Sequence, residues 1–165
     1  MQAQHDGRND FDFLVGNWKG LNRRLRERLV GSTDWEVFEG RLVVHKILGG
    51  LGNFDEATLY RESGQAEGAN LRLYNPDTGE WSIYWASSAG ANNLFPPMVG
   101  KFENGRGVFY AYEPVAGQHI HTRTVYTTPG KDAARWEQAF STDGGQSWET
   151  NWICDFTREE IANPG

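Results

Sequence analysis

The segment "GQHIHTRTVY" places His119, His121 and Arg123 at alternate positions. On a β-strand all three project from one face, because successive side chains point to opposite sides. Two imidazoles on one strand face can share a divalent cation. Such a site needs a third ligand, yet residues 122–126 read TRTVY and carry no carboxylate, and Arg123 on the same face would repel the ion. His45 and Glu113 are the only further ligands the chain offers, so no metal site is expected.

A second chemistry uses the same residues without a metal. Facing the interior of a β-barrel, His119, His121 and Arg123 would join Tyr110 and Tyr112, which share a face of the preceding run, together with Trp85 and His45. This set suits a small, partly apolar or aromatic ligand: the guanidinium pairs an anion while the rings pack its body. The alternative is a cofactor-free enzyme, an isomerase, cyclase or hydrolase, in which His121 or His119 moves a proton and Arg123 or a tyrosine stabilises an oxyanion. No catalytic residue is assigned. In the opposite orientation Ile120, Thr122, Thr124 and Tyr126 point inward and the histidines are solvated, and alternation alone leaves both orientations open.

Other nucleophiles carry little. Cys154 is flanked by Ile153 and Asp155 in an apolar run, which predicts a buried, inert thiol. "GGLGN" lacks the Gly-Lys-Ser/Thr ending and following helix of a phosphate loop and reads as a tight turn.

The chain has 165 residues, enough for one domain with its own core. A net charge of −6 argues against nucleic acid, whose binding requires a basic stripe. The single cysteine fits a reducing compartment. The polar start and the lack of a long apolar span predict a cytoplasmic protein with no membrane partner.

The elements that must position these residues are strands. Twenty glycines, 13% aromatic residues and short alternating runs broken by turn residues mark an all-β chain. Strands are expected near 16–29, 34–48, 54–62, 69–75, 80–87, 96–103, 106–113, 118–127, 134–141 and 147–157. Short links between them predict a closed antiparallel meander, which leaves no exposed edge. A flexible lead-in over 1–10, a barrel over 11–158 and a tail over 159–165 are the expected organisation. "YNPDTGEW" and "STDGGQSW" read as hairpin tips. Each is followed by Trp-x-x-x-Trp, so Trp81 with Trp85 and Trp148 with Trp152 should each share a face. "LNRRLRERL" is read as strand, with Arg24, Arg26 and Arg28 facing water. Its basic character also offers a surface through which the barrel could dock or form a homodimer.

The opening "FDFLVGNWKG" resembles the Gly-x-Trp that begins the first strand of lipocalins and related calycin barrels, and Arg158 resembles the arginine their last strand packs over that Trp. Together with "GGLGNFDE", "LRLYNPDTGEWSIYW" and "FSTDGGQSWE", most of the chain resembles a bacterial domain family of unknown function placed among the lipocalin-like barrels. The resemblance implies a single up-and-down barrel of about eight to ten strands, with Gly16, Trp18 and Arg158 closing one end, and carries no established activity. "STDGGQSW" also resembles an Asp-box, a structural hairpin in which Asp143 accepts turn N–H groups above Trp148. Barrels of the nitrobindin type hold haem through a late histidine, and no histidine follows His121, so no cofactor is expected.

Overall fold

The computed structural model describes residues 5–90 and 93–160. Ten strands follow one another: β1 (Gly16–Leu25), β2 (Trp35–Ile47), β3 (Gly52–Arg61), β4 (Gly64–Asn75), β5 (Glu80–Ser87), β6 (Met98–Glu103), β7 (Arg106–Val115), β8 (Gln118–Gly130), β9 (Ala133–Ser141) and β10 (Glu149–Arg158). Each pairs antiparallel with its neighbours in sequence, and β1 pairs with β10 to close the barrel. The all-β, up-and-down architecture expected from the turn spacing is therefore the observed one. Strand positions agree with expectation to within a few residues; β4 starts earlier because the β3–β4 hairpin zips up to the Arg61–Gly64 pair. No helix among the described residues is long and apolar enough to cross a membrane.

Strand parity decides what the interior contains. In β1, Trp18, Gly20 and Asn22 are buried while Lys19 and Leu21 are exposed. In β2, Glu36, Phe38, Gly40, Leu42 and Val44 are buried between exposed neighbours. Two expectations fail on this parity. Arg24 continues the Trp18 face into the barrel and Arg28 in the loop turns the same way, so neither faces water as expected; Arg26 does, paired with Glu62 at 2.6 Å. A bulge between Thr150 and Trp152 breaks the alternation of β10. Trp152 therefore points inward whereas Trp148 lies outside against Tyr110, 6.1 Å between ring centroids, and the two do not form one wall.

One end of the barrel is plugged. Residues 7–14 turn twice in short 3-10 helices and drive Phe11 into the opening. Its ring meets Trp81, Phe102 and Tyr126 edge-on at 5.0, 4.8 and 5.1 Å and stacks on Phe109 at 5.6 Å. Each edge-to-face pair adds about 0.5–1.5 kcal/mol to the area buried. Gly7, within the lead-in expected to be flexible, is buried and stitched down: its N–H donates to Tyr74 Oη at 2.9 Å and its carbonyl accepts from Trp81 Nε1 at 3.1 Å. Residues 1–4 and 161–165 of the expected lead-in and tail lie outside the described residues; Glu159 still bonds through its N–H to the Asn17 carbonyl at 2.8 Å.

Trp18 and Arg158 complete the plug. They face each other in the β1–β10 register, with the guanidinium carbon 4.2 Å from the indole centroid. Arg158 also donates to the carbonyls of Val15 at 2.8 Å and Phe13 at 2.9 Å, and Trp18 Nε1 donates to Leu14 O at 2.8 Å. Gly16 sits at φ 122°, where a Cβ would lie 2.7 Å from the Arg158 guanidinium. Glycine is thus required twice over, by conformation and by space.

Candidate functional site

Above the plug the barrel holds a cavity of about 510 Å³ that opens at the other end, within the size range of small-molecule sites. The strands differ in what they contribute. β1 to β4 supply small inward residues, Gly20, Gly40, Ala57 and Ala66, while β5, β9 and β10 supply the indoles of Trp85, Trp136 and Trp152. Trp136 and Trp152 meet edge to face at 5.3 Å. Gly68 of β4 makes room for the third: a Cβ there would lie 2.1 Å from the Trp85 ring. Phe95, Pro96 and Met98 border the cavity where the chain enters β6, which is paired on both sides and forms no edge.

The floor is a buried polar knot. Arg72 is 1% exposed and pairs with Asp55 at 2.5 Å, donates to Asn53 Oδ1 at 2.9 Å and reaches Tyr126 Oη at 3.3 Å. Its guanidinium lies over Phe11 at 5.3 Å, so it lids the aromatic plug. Burial opposes its charge, but Asp55 and Tyr126 together hold its pKa above the ordinary arginine value. Burial pushes the Tyr126 phenol up, which keeps it protonated. Asp55 in turn accepts from the Asn70 backbone and side chain at 3.1 and 3.0 Å, so its lone pairs are occupied.

Arginines gather towards the mouth. Arg24 lies over Trp152 at 5.3 Å, Arg28 over Phe140 at 5.2 Å and Arg61 over Phe38 at 5.5 Å. Arg61 is bonded to the buried Glu36, whose pKa it lowers. Arg24 has no acceptor among the described residues, and its Nε is buried without a partner. Burial, then repulsion from Arg28 and Arg61, brings its pKa down to about 10, so it remains charged at neutral pH. Burial and Arg61 likewise lower that of Arg28. Glu113 also lines the cavity and accepts from Thr122 Oγ1 at 2.6 Å. The hydroxyl of Thr124, facing the same space, is buried and has no partner among the described residues.

Of the residues expected to bind ligand, the cavity receives Trp85. Ile120, Thr122, Thr124 and Tyr126 take the inward face of β8, so His119, His121 and Arg123 lie on the outer one, joined there by Tyr110 and Tyr112 of β7. Outside, Tyr112 stacks obliquely on His121 at 4.9 Å and on His119 at 5.3 Å, and Arg123 lies over Trp148 at 4.5 Å. His45 is exposed on β2 against Phe54. The histidines that an isomerase, cyclase or hydrolase would use inside the barrel are therefore on its outer surface. Among the described residues no cluster of three His, Cys, Asp or Glu could hold a metal. Cys154 faces the cavity, but burial and the neighbouring Asp155 push its thiol well up, which leaves it a poor nucleophile.

The cavity arginines, Trp136 and Trp152 were missed from sequence. The available signal was parity, since Trp18 inward requires Arg24 inward on the same strand.

No protein-family model and no curated protein matches the chain. Among solved structures it is similar to the S-type phycobiliprotein lyase of Guillardia theta, with a TM-score of 0.64 over 96% of both chains at 9% identity. That likeness is one of fold, and with the closed ten-stranded meander it makes this chain a lipocalin-like, calycin-type barrel.

Proposed function

We propose that the protein binds a small, partly aromatic or apolar molecule in the open half of its barrel. The observation that carries this reading is the asymmetry of the interior: one end is filled by Phe11 and Trp18, while the other holds a 510 Å³ space walled by three indoles. A barrel whose task was only to fold would fill that space with side chains, because a cavity costs dispersion contacts and stability. The solved neighbour is a phycobiliprotein lyase, which supports a barrel that handles a small molecule without naming the ligand here. The single, buried Cys154 supports a reducing compartment, and the cytoplasm is the one proposed. The Gly16, Trp18 and Arg158 signature supports kinship with the bacterial lipocalin-like domain family that the sequence resembles.

Titration with phenylnaphthylamine, a neutral aromatic dye, tests the reading. One-to-one binding that quenches the tryptophans and raises the melting temperature is the expected result. No quenching and no thermal shift with this dye or across a panel of apolar ligands would contradict it.

A further inference from the structure

We infer that the ligand carries an oxyanion, a carboxylate or its like, and that Arg24 is the residue that receives it. The inference rests on the binding reading above and adds the chemical class of the ligand. Arg24 projects from β1 into the cavity and lies over Trp152, with its Nε buried and unpartnered. A guanidinium hydrogen-bonds an oxyanion best through two parallel N–H groups, and those of Arg24 are free among the described residues.

The surrounding charges sharpen the assignment. Arg61 is occupied by Glu36, which also accepts the Glu62 backbone N–H at 3.1 Å. Arg72 is occupied by Asp55. Glu149, which with Glu113 favours the charge of Arg28, is tied to the Leu29 backbone N–H at 2.9 Å. Glu113 itself is held by Thr122. Arg28 likewise lacks an ion pair among the described residues but sits in the loop after β1; Arg24, on the strand, combines a buried Nε without a partner there with repulsion from Arg28 and Arg61, an arrangement that costs stability in the empty protein and is relieved when an anion arrives. The depressed pKa of Arg24 expresses the same strain. The unpartnered Thr124 hydroxyl offers a second polar contact in the same cavity, and the Trp152 indole beneath the guanidinium provides the face on which a flat ligand body can lie beside it.

Two dyes that differ by one group make the test. Anilinonaphthalene sulfonate is phenylnaphthylamine with a sulfonate added, so the ratio of their affinities isolates the anion. The intact protein should bind the sulfonate at least about tenfold more tightly than the neutral dye, the worth of one charge-assisted contact. Arg24→Gln should abolish that preference while leaving the neutral dye's affinity within about twofold, which also certifies that the variant is folded. Arg28→Gln should retain most of the preference. Arg24→Met should melt at a higher temperature than the parent, because it removes an unpaired buried charge. An equal affinity for both dyes, or a preference that survives Arg24→Gln, overturns the inference and leaves the binding reading intact. Failure of both dyes to bind overturns both.

Discussion

Trp18 and Arg158 stand opposite each other in the β1–β10 register, with the guanidinium 4.2 Å over the indole, at the seam where the first strand meets the last. The same arginine ties two carbonyls of the plugging segment, those of Phe13 and Val15. One side chain thus joins barrel closure to the plug. Arg158→Ala removes the cation–π contact and leaves two acceptors short of a donor, so unfolding free energy should fall by about 2–4 kcal/mol. Urea denaturation measures this. A loss below about 0.5 kcal/mol would deny the arginine that role.

Asp55 is the counter-charge of a fully buried arginine. Asp55→Ala would strand Arg72 in the floor without its partner. A loss of about 3–5 kcal/mol is expected, as for other broken buried pairs. Chemical denaturation of the variant should show it, whereas removing an exposed pair such as Lys19–Glu39 should change stability by less than about 1 kcal/mol.

Gly68 exists to admit Trp85. A methyl at that position meets the ring at 2.1 Å, and the indole must move. Gly68→Ala is expected to cost about 1–3 kcal/mol and to weaken binding of the neutral dye, because the displaced ring enters the cavity. Unchanged dye affinity together with unchanged stability would show that the wall is looser than this contact implies.

The hairpin "STDGGQSW" titrates in acid. Asp143 accepts from the Ser147 hydroxyl and backbone N–H and from the Ser141 hydroxyl, and these bonds bring its pKa down from 3.8 to about 2. A carboxylate with a depressed folded pKa stabilises fully above its unfolded value and loses that contribution as pH falls through the folded one. The hairpin should therefore hold above pH 4 and loosen between about pH 4 and pH 2. The indole resonance of Trp148, whose Nε1 donates to Gly145 O at 3.1 Å, should shift across that window, and Asp143→Asn should flatten the profile.

Much of the architecture was legible because glycine, proline and alternation are local signals: the ten strands and the hairpin tips follow from them. The Trp18–Arg158 seam was reached through resemblance. The site was harder for one reason. Period-two alternation tells which residues share a face and does not tell which face is inside. The alternating arginines of "LNRRLRERL" read as the wet side of the first strand, yet Leu21 on the opposite face is exposed and Arg24 is inside. The phase had to be taken from Trp18. On β8 no such anchor exists, so the sequence left both orientations open, and it is Ile120, Thr122, Thr124 and Tyr126 that hold the inner face. The bulge at Asn151, which separates Trp148 from Trp152, has no signature in residue type.

If ligand enters the open half of the barrel, the indole N–H resonances of the seven tryptophans report where it sits. On titration with phenylnaphthylamine, Trp85, Trp136 and Trp152 should shift together, while Trp18 and Trp81 in the plug and Trp148 outside stay fixed. Shifts confined to Trp148, beside Tyr110 and Arg123, would contradict binding in the cavity and move the site to the outer face.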